Sequence, residues 1–102
     1  MFEAQSTPEG IRLAGRLDAA AAGQAELHFD DLASTAEVDM AELDYISSAG
    51  LGVLLKCHKR LMAGGGGLRL VQVNPHIAEI LHYSGFDMLF EVVPASPARP
   101  PV

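Results

Sequence analysis

The chain has a single cysteine, Cys57, among 102 residues, which excludes an intramolecular disulfide and fits a reducing compartment. Cations are scarce too: 7 Lys and Arg face 13 Asp and Glu, a formal net charge of −6. Nucleic acid is therefore disfavoured as the main ligand, because phosphate contacts need clustered Lys and Arg. No run of about 18 apolar residues is available to span a membrane. Met1-Phe2-Glu3-Ala4 lacks the basic region and apolar run of a signal peptide, so a cytoplasmic protein without membrane insertion is expected. Also missing are a phosphate loop with its Lys-Ser or Lys-Thr pair, the Gly-x-Ser-x-Gly pattern of serine hydrolases, and ligand partners for Cys57 or His28 at metal spacing. No cofactor and no metal is expected.

What is present is the balance of an ordinary folded protein, 49% hydrophobic and 20% charged, in a chain long enough for one core and too short for two. Ile11-Arg12-Leu13-Ala14-Gly15-Arg16-Leu17 alternates with a period of two, the mark of a half-buried strand. Residues 2–6 pair with it as an edge strand across the turn signal Pro8-Glu9-Gly10. Asp18 stands before Ala19-Ala20-Ala21-Ala22 as an N-cap, and Ala21, Ala25, Phe29 and Leu32 share one helical face. A helix to about Ala33 is predicted, weakened by Gly23 and Asp30-Asp31, with Ser34-Thr35 as the turn and His28 at the surface. Ala36 to Met40 reads as a short strand.

The chain is organised around Asp44-Tyr45-Ile46-Ser47-Ser48-Ala49-Gly50-Leu51-Gly52, where a polar turn joins a strand to a helix. Two adjacent serines before an apolar run are N-cap candidates, so one hydroxyl is expected to be structural and the other exposed. Gly50 and Gly52 cost roughly 1 kcal/mol each in a helix, which points to a close approach to its backbone by a partner or a phosphate. Leu51, Leu54, Leu55, His58, Leu61 and Met62 keep helical spacing, with His58 as a packed, hydrogen-bonded boundary residue. Lys56, Lys59 and Arg60 read as a solvated helix face. Gly64 to Gly67 ends the helix.

Leu68 to Val73 reads as an inner strand, and Asn74-Pro75 as an N-cap with an N1 proline. The helix that follows turns Ile77, Ile80, Leu81 and Tyr83 inward and closes at Ser84-Gly85. Phe86, Met88, Leu89 and Phe90 cover the core edge before a last strand at Glu91-Val92-Val93. Four prolines between Pro94 and Val102 give an expected disordered tail. The boundaries are thus a domain at 1–93 and a tail at 94–102. The order β-β-α-β-α-β-α-β predicts an α/β fold, a mixed sheet of four to five strands with its helices packed mainly on one face.

Catalysis finds little support. Ser47 or Ser48 as a nucleophile needs a base and an oxyanion hole, and nothing local ties His28, His58, His76 or His82 to the serines. Asp18, Asp39 and Asp44 flank strands that lead toward the turn, and caps or solvated charges are preferred over a general-base cluster. An enzyme is not expected.

Taken together, Gly15-Arg16-Leu17-Asp18, Val38-Asp39, the stretch from Asp44 to Gly52, Asn74-Pro75 and Ser84-Gly85-Phe86 resemble a STAS domain of the anti-sigma-factor antagonist type, over residues 2–93. The resemblance implies a protein that binds an anti-sigma factor with serine kinase activity and is inactivated when that kinase phosphorylates a serine before the second helix. A PP2C-type phosphatase is the further partner it implies. Aligned through Gly50-Leu51-Gly52, the phosphoacceptor falls on Ser48. Many members carry an aspartate where this chain has Ser47, which makes Ser47 the second candidate. Asp18, Ser47, Ser48, Ala49, Gly50 and Leu51 are the implied partner-binding residues. The segment from Asp18 to Asp39 is shorter than usual, implying a trimmed first helix. Similar domains also serve as small cytosolic subunits docking on bacterial lipid-transport ABC ATPases, with a Thr-Ala-Gly-Leu pattern close to Ser48-Ala49-Gly50-Leu51. That is the alternative function, beside a merely structural cap at Ser48.

Overall fold

The computed structural model describes residues 1–95. Its elements are β1 (Phe2–Thr7), β2 (Gly10–Leu17), α1 (Ala22–Phe29), β3 (Thr35–Ile46), α2 (Ser48–Ala63), β4 (Gly67–Val73), α3 (Pro75–Ser84), a short 3-10 turn (Phe86–Met88) and β5 (Glu91–Pro94). The five strands form one mixed sheet in the order β1-β2-β3-β4-β5. β1 and β2 are an antiparallel hairpin, and every later neighbour is parallel. Each parallel step moves one strand further the same way, so right-handed crossovers return all three helices to one face. Strand patterning agrees. Ile11, Leu13, Val38, Met40, Leu68 and Leu70 are buried, while Arg12, Glu37, Asp39 and Arg69 on the opposite face pair across strands: Arg12 with Asp39 at 3.5 Å, and Arg69 with Glu37 at 2.8 Å and Glu91 at 3.2 Å.

β3 is one strand of 12 residues, not the short Ala36–Met40 strand expected. Its pairing with β2 shifts between Arg12/Ala14 and again between Gly15/Arg16, each time with one extra residue on β3. These bulges break the period of two, so that Met40, Leu43 and Ile46 all reach the core. β3 also outruns β4, whose register stops at Asp39↔Val71. Asn74 takes over beyond that point: its Nδ2 donates to the Met40 and Leu43 carbonyls at 3.2 and 2.9 Å, while its Oδ1 caps α3 by accepting from Ile77 N–H at 3.0 Å.

Several expectations are corrected. Asp18 does cap, but it caps the turn Asp18–Ala21, accepting from Ala21 N–H at 3.0 Å; α1 begins only at Ala22 and ends at Phe29. Packing of Ala25 and Phe29 into the core sets that span, and Ala19-Ala20 stay outside it despite their propensity. Thr35 opens β3 and leaves the turn to Ser34, and His28 is half-buried. α2 turns Val53 and Cys57 inward beside Leu51, Leu54 and Leu61, and Met62 lies outside; Tyr83 of α3 is likewise exposed. Lys56 and Arg60 do not simply solvate a face. Lys56 pairs with Glu26, whose hydrogen bond and charge hold its ammonium above the ordinary 10.5. Arg60 Nη2 donates to the Phe29 and Leu32 carbonyls at 2.9 and 3.0 Å, capping the end of α1. His58 is the packed residue expected, with Nδ1 accepting from Leu68 N–H at 3.0 Å and its ring 4.8 Å from Phe90. Pro94 belongs to β5; the rest of the expected tail, from residue 96 on, lies outside the described residues.

Candidate functional site

β2 and β3 finish side by side, with Leu17 opposite Ile46. The next residues, Asp18 and Ser47, therefore share the carboxyl edge of the sheet. Ser47 N–H donates to the Leu17 carbonyl at 2.9 Å, which carries the ladder one step past the strand. Ser47 is still extended (φ −90°, ψ 172°); its Oγ accepts from Gly50 N–H at 3.2 Å and its carbonyl accepts from Leu51 N–H at 2.8 Å. That is an N-cap in full, and Ser47 is half-buried in performing it.

Ser48 is the first residue of α2. It is exposed, as is Ala49. Among the described residues, the Ser48 hydroxyl has no hydrogen-bond partner, whereas the Ser47 hydroxyl is engaged. The two serines read from the sequence as one structural and one exposed are thus told apart: Ser47 is structural, and Ser48 is presented to solvent over the positive end of a helix with no acidic residue in its first turn.

Gly50 and Leu51 are buried. Within the chain, a close approach to the helix backbone is found at Gly50. A Cβ there would stand 2.7 Å from Leu17 Cγ, 2.9 Å from Ile46 Cγ1 and 2.9 Å from the Leu17 carbonyl oxygen, whereas among the described residues one on Gly52 meets nothing within 4 Å. Gly50 lets the first turn of α2 lie directly on the end of β2, and so sets where Ser48 stands.

Around the turn, Asp18 is half-buried and Asp44 exposed. Arg16 lies over the Tyr45 ring at 4.5 Å, a contact of the open sheet face that the sequence reading missed; the register Arg16↔Tyr45 arises only through the two bulges of β3, which carry no local signal in the sequence. Asp39 does not join the site. It sits seven residues before Ile46, where its Oδ1 accepts from Ala41 N–H at 2.9 Å and it pairs with Arg12. Two of the four histidines are engaged elsewhere: His58 with Leu68, and His82 with Asp87 at 3.1 Å. Among the described residues, no group of three or more His, Cys, Asp or Glu could hold a metal ion, and no helix is long and apolar enough to cross a membrane.

Residues 1–94 match the family described as Mlab, STAS domain. The chain belongs to the STAS family. Over 55 residues it is 46% identical to BtrV of Bordetella bronchiseptica, named as a candidate anti-sigma factor antagonist; the match covers 54% of this chain and 47% of BtrV, about half the length of that relative. It is 28% identical over 89 residues to a Paenibacillus polymyxa protein named anti-sigma F factor antagonist, covering 82% of this chain and 74% of the other. Among solved structures, the anti-sigma factor antagonist SpoIIAA in its unphosphorylated form superposes with a TM-score of 0.73 at 23% identity, over 95% of this chain and 90% of SpoIIAA. The phosphorylated form of the Bacillus protein gives 0.66 at 21%, over 95% and 93%. At these identities the likeness establishes the shared STAS fold.

Proposed function

We propose that this STAS domain is an anti-sigma-factor antagonist. It binds an anti-sigma factor that is also a serine kinase, and phosphorylation of Ser48 by that kinase switches it off. The names of the two relatives support the class of function. The observation that carries the switch is the division of labour in the turn, where Ser47 is committed as the cap and Ser48 is exposed and, among the described residues, unengaged. A phosphate would bring about −1.5 to −2 charge to that surface. The helix N-terminus tolerates it, so the fold persists while a partner seated on the turn meets added repulsion and a desolvation cost. Ser48, Ala49 and Asp18 supply the contact surface; Ser47, Gly50 and Leu51 hold its shape from beneath. The chain works by binding and catalyses nothing itself, it acts in the cytoplasm, and a PP2C-type phosphatase resets it.

A second reading makes the same turn a docking point on a lipid-transport ABC ATPase. It is favoured by the Ser48-Ala49-Gly50-Leu51 order and by the family match, and there Ser48 serves contact alone. Intact-mass and phosphosite analysis of the protein from its own cells, with Ser48→Ala beside it, separates the two. A phosphate on Ser48 that vanishes in the variant supports the switch. No phosphate under growth or stress, with an ATPase and not a kinase in pull-downs, overturns it for the docking role.

A further inference from the structure

The two edges of the sheet are built differently. β5 is four residues long, ends on Pro94, and its pairing with β4 is irregular between Leu70 and Val73; such an edge resists further pairing. β1 is the opposite. It runs six residues from Phe2 to Thr7 with unbroken register against β2, and it contains no proline, no lysine and no bulge.

The free groups of β1 can be assigned. Arg16 N–H donates to the Met1 carbonyl at 2.8 Å. In an antiparallel ladder bonded pairs alternate, so Glu3, Gln5 and Thr7 are bonded to β2 and Phe2, Ala4 and Ser6 turn their N–H and C=O outward. Side chains of the same strand sort as Phe2 and Ala4 toward the helices, and Glu3 and Gln5 on the open face.

We infer that β1 is a self-pairing edge, whose partner is a second copy of this chain joined antiparallel about a two-fold axis through Ala4. In that register Ala4 faces Ala4 of the second copy, Phe2 faces Ser6, and Glu3 faces Gln5. The outward main-chain groups meet in bonded pairs, and the one charged side chain of the strand meets an amide. No like charges oppose each other. Gln24 of α1 borders Glu3, Ala4 and Gln5. One turn further along α1, Leu27 is 71% exposed, which places an apolar side chain beside the seam. The axis lies two strands from β3, so the Ser48 turns of both copies stay open, and the inference stands whether or not Ser48 is phosphorylated.

The test is sedimentation equilibrium of the full chain from about 10 µM to about 1 mM, the range suited to a small interface. The mass is expected to climb from 10.8 kDa toward twice that value. Ala4→Pro removes an outward N–H and no bond to β2, and should weaken association by about tenfold or more. Gln5→Glu and Gln5→Lys are exposed changes that leave the monomer intact and place a like or an opposite charge against Glu3 of the second copy. They should shift association in opposite directions, each by about tenfold since the pair occurs twice, and both effects should fade in salt. A monomer at every concentration overturns the inference, as does a dimer on which the two Gln5 variants act alike or not at all.

Discussion

Gly50 stands so close to Leu17 that a single added methyl group would lie 2.7 Å from the Leu17 side chain and 2.9 Å from its carbonyl oxygen. Gly50→Ala is therefore expected to destabilise the protein by about 1–3 kcal/mol, overpacking outweighing the gain in helix propensity. Gly52→Ala, two residues on and open to solvent, should instead stabilise by about 0.5–1 kcal/mol. Thermal unfolding of the two variants side by side checks the sign. Equal effects would mean that α2 does not rest on β2 at Gly50.

Asn74 joins α3 to the bulged part of β3. Asn74→Ala should cost about 2 kcal/mol, roughly half from the lost cap and half from the orphaned Met40 and Leu43 carbonyls. Asn74→Asp keeps the acceptor for Ile77 N–H and loses the donor, so it should recover the cap portion only. Urea midpoints rank the three chains, and an aspartate as stable as the wild type would show that the carbonyl contacts contribute nothing.

Such contacts mark where the sequence stopped being legible. The β1–β2 hairpin, β4 and the cap at Asn74 were readable because their signals are local: alternation of two, or a capping side chain next to an apolar run. β3 was not, since its two bulges erase the period on which strand reading depends. α1 was read too long because Asp18 gives the same signal whether it caps a helix or a turn. At the site, the pair of serines announced that one would cap, but which one follows from Ser47 being held to Leu17 across the sheet. Gly50 was noticed as a point of close approach, and the crowding found there within the chain comes from a residue 33 positions earlier.

Cys57 gives a pH dependence. Burial pushes its thiol above the ordinary 9.0, opposed in part by the Arg60 guanidinium. A folded-state value above the unfolded one means that both states are protonated below 9.0 and the full stability is present there. Above it the unfolded thiol ionises first, and stability falls until the folded thiol also titrates. Unfolding free energies measured from pH 7 to 10 should decline above about 9, and the decline should be shallower in Cys57→Ala. Parallel profiles for the two chains would mean that the thiol is ionised as easily in the fold as out of it.

Ser47 and Ser48 should separate stability from signalling. Ser47 holds Gly50 N–H, so Ser47→Ala should cost about 1 kcal/mol; Ser48 makes no such bond among the described residues, and Ser48→Ala should stay within about 0.5 kcal/mol of the wild type. Ser48→Asp places a negative charge in the first turn of α2 and should raise stability by about 0.3–1 kcal/mol, an effect that salt removes. Under the proposed switch that same variant loses the anti-sigma factor, while Ser47→Ala, though less stable, still accepts phosphate at Ser48. Calorimetry with binding measured on the same four chains reads both properties. Were Ser47→Ala to abolish phosphorylation while Ser48→Ala retained it, the roles of the two hydroxyls would be reversed, and the capping serine would be the switch.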